Sequence, residues 1–240
     1  MTAEPVMSRR ERTRSATLDE IKTTARELMR EQGTTDVRFT DIARVMGLSA
    51  PALYRYFDDR DQLLTALIED GFDSLGDRIA QARERVDPGD IMGRWFAAAA
   101  AYRDWARDEP QRFALVLGMP VPGYAAPVEG LTSEAASRAM GQLSSLFVAA
   151  AERGVLGPPL IQEVSSAVSM CQELKHPDGT GVLPPASFQA LLQIWAMLHG
   201  LVSLEVNGNL DWLSPEARDA LFRSQVQLAA RASGLIEPTA

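Results

Sequence analysis

At 240 residues the chain is long enough for one large domain, or for a small domain followed by a medium one. Its single cysteine, Cys171, excludes an intramolecular disulfide framework and a four-cysteine metal site, and His176 and His199 have no ligand partners near them in sequence, so no metal is expected. The net charge of −8 hides an asymmetry: residues 1–60 hold 11 Lys/Arg against 10 Asp/Glu, whereas residues 61–240 hold 13 against 22, so a polyanionic partner belongs at the N-terminal end.

Residues Met1 to Ser15 are polar and arginine-rich without the apolar run of a signal peptide, and no stretch of 18 uninterrupted apolar residues occurs; a cytoplasmic protein with no membrane partner is expected. Arg9, Arg10, Arg12 and Arg14 concentrate positive charge on residues 1–14, expected to form a flexible arm that reaches phosphates or a minor groove, or else a solvated tail. Leu18, Ile21, Ala25, Leu28 and Met29 then recur at helical spacing up to Gly33. From Phe39 to Phe57 the pattern is two short helices joined by a glycine-centred turn. Thr40 is placed to cap the first helix, Ala43 is small enough for a second helix to cross closely, and Gly47 supplies the positive φ of the turn. Ser49 is placed to cap the second helix, with Pro51 in its first turn, where the missing N–H has no intrahelical partner in any case. Ile42, Ala43, Leu48, Leu53 and Phe57 are expected to form the core, leaving Ala50, Ala52, Tyr54, Arg55 and Tyr56 outward or along the rim. Asp59 and Gln62 match the capping box of a further helix.

The Thr40-Asp41-Ile42-Ala43 opening, the Gly47-Leu48-Ser49 turn, the Leu53-Tyr54-Arg55-Tyr56-Phe57 segment and the basic Arg60 together resemble the N-terminal DNA-binding domain of the TetR family of transcriptional regulators, over about residues 14–72. The resemblance implies that Thr40, Tyr56 and Arg60 contact phosphates and that Ala50 to Tyr54 face the bases. The DNA-binding set is therefore Thr40, Ser49, Ala50, Pro51, Ala52, Tyr54, Arg55, Tyr56 and Arg60. Ala50 and Ala52 offer apolar contact with thymine methyls and Arg55 a guanine contact, while the alternative for Tyr54 and Tyr56 is packing inside the domain.

Beyond Leu63 nearly every segment has helical period, so the chain is expected to be all-α. Leu63, Leu64, Leu67, Ile68, Phe72, Leu75 and Ile79 form one stripe of a long linking helix, and after the Asp87-Pro88-Gly89-Asp90 break Ile91, Trp95, Ala98, Tyr102 and Trp105 form another. A short helix opens at Glu109-Pro110, residues 118–127 read as a proline- and glycine-rich loop, and further helices are expected over 133–152, 160–174, 187–206 and 215–232. Residues 191–204 are apolar round most of the circumference, which calls for burial on two sides. Within them Trp195, His199 and Gly200 resemble the Trp…His-Gly signature of one C-terminal subgroup of the family; the resemblance implies a dimer interface built from 160–174 and 187–206. The aromatic and sulfur side chains suggest a ligand cavity, with Trp95, Tyr102, Phe113, Met119, Tyr124, Phe147, Met170, Trp195 and His199 as candidate lining, Tyr102, Met119 and Tyr124 foremost; the alternative is core packing for most of them and a hydrogen-bonded core or interface place for His199. No Gly-x-Ser-x-Gly elbow, Walker loop or dinucleotide fingerprint occurs, so neither catalytic residues nor a cofactor are expected.

The expected organisation is an arm over residues 1–14, a helix-turn-helix domain over 15–60 and a helical regulatory and dimerisation domain over 61–240. The expected function is that of a homodimeric repressor on a palindromic double-stranded DNA operator, released by a small apolar or amphipathic effector. The alternative is a helical protein-interaction module without specific DNA binding.

Overall fold

Ser8 starts the first helix: its hydroxyl accepts from the Glu11 backbone N–H at 3.2 Å while the Glu11 carboxylate accepts from the Ser8 N–H at 2.7 Å. This reciprocal capping box satisfies two of the donors that every helix start leaves open. Helix α1 (Arg9–Gln32) therefore includes Arg9, Arg10, Arg12 and Arg14, so the expected flexible arm is corrected from Arg9 onward, where the charges are carried on helical turns; residues 1–7 of it lie outside the described residues. The computed structural model describes residues 8–118, 120–125, 130–175 and 182–235; among these residues all regular structure is helical, apart from an isolated bridge between Leu156 and Leu235.

Helix α1 buries Ile21, Ala25, Leu28 and Met29 on one stripe and ends at Gly33, whose φ of 65° only glycine adopts without strain. Helix α2 (Phe39–Met46) has Arg38 at its N-cap, so Thr40 lies inside the first turn, exposed, and does not cap it. Gly47, at φ 66°, turns the chain into α3 (Ala50–Leu53). Ser49 occupies the N-cap of α3, but its hydroxyl makes no capping hydrogen bond. Regular α-helix stops at Leu53; tightened bonds from the Arg55 N–H to the Ala52 carbonyl and from Tyr56 to Leu53 carry the turn on to Phe57. Ile42, Ala43, Leu53 and Phe57 are buried as expected, whereas Leu48, held in the turn itself, is 39 % exposed.

Helix α4 (Arg60–Glu84) follows, its start capped by Asp59, which accepts from the Gln62 N–H at 2.8 Å. All seven apolar residues of its stripe, Leu63 to Ile79, are buried. The remaining helices are α5 (Ile91–Asp108), α6 (Pro110–Leu117), α7 (Leu131–Glu152), α8 (Ser166–Lys175), α9 (Pro185–Val206) and α10 (Pro215–Ala232). The helix expected over 160–174 begins only at Ser166. Pro158 and Pro159 extend the chain before it, and the Leu160 N–H is taken by the Ala232 carbonyl at 2.9 Å, so pairing with the end of α10 overrides local helical periodicity.

The chain forms two compact units. One comprises the residues up to Phe72 together with Glu109–Ala135, the other Asp73–Asp108 together with Ala136–Ala240. The expected boundary at residue 60 thus gives way to a division inside α4, and α6 is part of the first unit. In that unit Lys22 and Arg26 of α1 hold Asp70 of α4 at 3.0 and 3.1 Å, and Arg112 of α6 donates to the Asp70 carbonyl. Gly71 admits Val116 of α6 so closely that a Cβ would meet its methyl at 2.5 Å.

In the second unit α5 is central and buries Trp95, Ala98, Ala99, Tyr102, Trp105 and Ala106. The Trp95 indole N–H donates to the Val226 carbonyl of α10 at 3.1 Å, and Gly76 lets α4 pass against the Ala139 backbone of α7. Arg103, on α5, fixes two more helices. Its Nε and one terminal nitrogen each reach a Glu205 oxygen of α9 at 2.7 Å, the other terminal nitrogen reaches Asp219 of α10 at 2.8 Å, and the guanidinium lies 4.6 Å from the Phe222 ring centre. Burial by itself depresses the Arg103 pKa, but the hydrogen bonds to Glu205 and Asp219 hold it above its ordinary value.

Arg103 and Glu205 side chains are each 7 % exposed, so removing one leaves a charge desolvated and unmatched. Arg103→Met is expected to lower stability by about 3–5 kcal/mol in urea unfolding, and Arg103→Met combined with Glu205→Leu to recover most of that loss. A single variant as stable as the parent would show that Glu205 finds water or another partner instead.

Candidate nucleic-acid interface and ligand cleft

The basic residues near the N-terminus meet the helix-turn-helix in one notch. Arg9, Arg10, Thr13 and Arg14 of α1 line it together with Arg55 and Tyr56, which follow α3. Arg14 builds the notch: it donates to the Arg55 carbonyl at 2.9 Å and its guanidinium stands 5.3 Å from the Tyr56 ring centre. Four guanidinium groups on one ordered surface form an electrostatic footprint for a phosphate backbone. Ser8-Arg9-Arg10-Glu11 was the overlooked sequence signal, because a Ser-x-x-Glu capping box places those arginines on a helix.

Of the sequence-derived DNA set, Thr40, Ser49, Pro51, Tyr54 and Arg55 are exposed, and Ala50, Ala52 and Tyr56 are partly exposed. Tyr54 packs one face against Phe39, with ring centres 5.1 Å apart, yet remains 54 % exposed, so packing and presentation coexist. Arg60 is engaged elsewhere: its guanidinium holds Asp36 at 2.9 Å and reaches the Val37 carbonyl, which ties α4 to the segment before α2. A phosphate would have to compete with Asp36 for it.

In the second unit a cleft of about 830 Å³ opens between α7, α8 and α9, with Trp95 of α5 at its base. Its walls are mainly apolar, including Leu143, Val148, Leu183, Phe188, Leu191 and Leu198. Of the nine candidate ligand residues, Trp95 and Trp195 line it. Phe147 is a fully buried support, edge-on to Trp95 with ring centres 5.8 Å apart. Tyr102 and His199 lie behind Trp195. The imidazole stacks on the indole at 5.4 Å, the Tyr102 ring meets the indole edge-on at 5.4 Å, and the phenol oxygen is 2.8 Å from His199 Nδ1.

Burial pushes the Tyr102 pKa up and the His199 pKa down, so both stand neutral near pH 7. One hydrogen bond joins the Tyr102 hydroxyl and Nδ1, and Nε2 lies 3.4 Å from the Ser203 hydroxyl; the tautomer of the neutral ring sets which partner donates in each. Phe113 and Tyr124 belong to the first unit, where Phe113 is core and the Tyr124 hydroxyl pairs with Thr65 at 3.0 Å. Met170 faces outward at 60 % exposure, and Met119 lies outside the described residues. Gln172, Gly141 and Glu152 are lining residues that sequence reading missed, since nothing local distinguishes them from other helical positions.

Comparison with known proteins agrees with this architecture. Residues 21–67 match the family described as bacterial regulatory proteins, tetR family, and residues 95–229 match the tetracyclin repressor-like C-terminal domain. The HTH-type transcriptional regulator Rv1816 of Mycobacterium tuberculosis is 32 % identical over 187 residues, spanning 76 % of this chain and 77 % of that protein. The crystal structure of the regulatory protein SCO4313 superposes with a TM-score of 0.68 at 31 % identity, over 92 % of this chain and 98 % of that one. The fold also recurs in RolR crystallised with resorcinol, at a TM-score of 0.55 and 17 % identity over 95 % and 96 % of the two chains. The chain therefore belongs to the TetR family of DNA-binding transcriptional regulators, whose members dimerise, bind DNA operators and take small-molecule ligands.

Proposed function

We propose that the protein is a homodimeric repressor that binds a palindromic operator and is released by a small apolar or amphipathic molecule entering the cleft of its second unit. The observation that carries the DNA side is the notch of Arg9, Arg10, Arg14 and Arg55 beside the exposed face of Ala50, Ala52 and Tyr54. Arginines set the pose through phosphates, and the short α3 face reads the major groove. Two-fold symmetry then implies half-sites about one helical turn or somewhat more apart, roughly 34 Å or beyond.

The dimer reading rests on α9 and α10. Only five of the 22 residues of α9 are buried within one copy, and Leu192, Ala196, Gly200 and Leu204 succeed one another at intervals of four along it. Leu221 and Leu228 are exposed seven residues apart on α10. A second copy of the same surface would cover these rows, as in an obligate homodimer. These rows support an interface on α9 and α10; the expected share of 160–174 is not carried over into this proposal, because helix there begins only at Ser166.

Release requires that the ligand bind the DNA-incompetent arrangement better than the competent one, since equal affinity shifts nothing. Helix α4 supplies the route: it is unbroken for 25 residues, about 37 Å, beginning in the DNA-binding unit and ending in the unit with the cleft. A bound compound should then raise thermal stability while lowering operator affinity.

Selection from a random DNA pool should return a palindrome, with affinity falling steeply as salt rises. Arg10→Ala is expected to weaken selected and scrambled sites alike and to reduce the salt slope by about one, whereas Ala52→Glu should remove discrimination by setting a carboxylate in the groove. Equal binding of the parent to selected and scrambled duplexes would sink the specific-repressor reading. For the dimer, Leu228→Arg should yield monomer or aggregate in light scattering; a parent protein that is monomeric at micromolar concentration would contradict the interface.

A further inference from the structure

Helices α7 and α9 give the cleft in the second unit two walls of different chemistry. From α9 come Phe188, Leu191, Leu192, Ile194, Trp195 and Leu198, none of which carries a side-chain oxygen. Beside Leu143 and Val148, α7 adds the hydroxyls of Ser137, Ser144 and Ser145. Ser137, Gly141, Ser144 and Val148 follow one another at steps of four, three and four, so they share one face of α7. The seven residues from Ser137 to Ser144 rise two turns, about 10.5 Å, along the wall.

Two of these hydroxyls are weakly engaged by their own helix. Ser144 donates to the Gly141 carbonyl at 3.4 Å and Ser145 to the Gln142 carbonyl at 3.3 Å, both longer than the roughly 2.7–2.8 Å of a sound O–H···O bond. Arg83 of α4 adds an independent observation: it donates to the Ser145 hydroxyl oxygen at 2.7 Å and also to the Gln142 carbonyl. A hydroxyl that accepts from a guanidinium gives its own proton more strongly, and the carbonyl it now faces is already served by Arg83. Ser145 is thus placed to donate to an incoming oxygen instead. Gly141 keeps room between the serines. Glycine is less favourable than alanine in mid-helix, yet a Cβ there would meet nothing within 4 Å, and the space it leaves open is part of the cleft.

We propose that the cleft takes a rigid, facially amphipathic molecule: a polycyclic body whose bare face lies on Phe188, Leu191 and Trp195, and whose other face carries hydroxyl or carbonyl oxygens that meet Ser144 and Ser145. A head-and-tail amphiphile, with its polarity gathered at one end, sets these hydroxyls against carbon. This rests on reading the second unit as the effector-binding one and names the chemistry of that effector.

The test is equilibrium dialysis of the full-length protein, without DNA, against three probes below their micelle-forming concentrations: cholate, with three hydroxyls on one face of a steroid body; lithocholate, the same body with one; and dodecanoate, a head-and-tail chain. Each carries one carboxylate, so charged groups in and around the cleft act on all three. Cholate should bind at least about tenfold more tightly than lithocholate or dodecanoate, the size of one to two net hydrogen bonds. Ser144→Ala combined with Ser145→Ala, which improves helix propensity, should weaken cholate about tenfold and leave lithocholate within about twofold. Gly141→Leu should abolish binding of all three by filling the cleft. Lithocholate or dodecanoate binding as tightly as cholate overturns the facial class, and a serine double variant that weakens cholate and lithocholate equally, or neither, overturns the role of the serines. Binding that survives Gly141→Leu places the probe elsewhere and overturns the site, and so does the absence of binding by all three. An operator titration with cholate present separates the two readings: bound cholate that leaves operator affinity unchanged removes the release mechanism and keeps the cleft chemistry, whereas selective operator binding by a protein that takes up none of the three does the reverse.

Discussion

The second unit depends on one buried guanidinium. Arg103 presents a planar fork, and a fork met by both oxygens of Glu205 tolerates little sliding of α9 along α5. The residue before it, Tyr102, meets His199 one to two turns earlier on α9, so two adjacent positions on α5 fix two points of the opposing helix. That register sets which α9 side chains face the cleft. Trp195 is held from behind by Tyr102 and His199, leaving its remaining surface as wall. An apolar pair of the same volume would serve stability as well, but would permit the neighbouring registers that a charged fork forbids.

Close approach, more than side-chain volume, governs α4. Gly71 faces Val116 in the first unit and Gly76 faces the Ala139 backbone in the second, and each glycine costs helix stability that packing must offset. Glycine at both places keeps the helix unbroken while it takes part in two cores. A bulkier residue at Gly76 would have to move backbone, whereas at Gly71 it would have to displace only a valine methyl.

Where the sequence was legible, the signal was local. Gly33 and Gly47 end helices with positive φ, and the Leu63 to Ile79 stripe is buried throughout. The capping box at Ser8 was equally local, but a run of arginines reads as a tail unless Glu11 is weighed against it. Partners distant in sequence account for the rest. Arg60 looks free until Asp36, 24 residues earlier, is seen to hold it, and residues 160–165 look helical until Leu160 is seen bonded to Ala232. The cleft had no local signature. Its lining comes from four helices and from Leu183 just before α9, while Phe113 and Tyr124, aromatic and plausible by type, serve the other unit.

Helix α9 carries both proposed surfaces of the second unit, and that ties them thermodynamically. Its Leu191, Trp195 and Leu198 face the cleft, Ala196, Gly200 and Leu204 face the proposed partner, and Leu192 belongs to both. On the proposed reading, a ligand that presses on Trp195 presses on a helix whose other side carries the small Ala196 and Gly200, where a partner helix would have little slack. Linkage is reciprocal, so a ligand that favours one packing of α9 against its partner must itself be bound more tightly by that packing. The buried Arg103–Glu205 fork keeps the far end of α9 from following. A ligand response of the proposed kind would therefore act on the stretch of α9 near Trp195 and on α7 beside it, and α7 meets α4 where Gly76 faces Ala139.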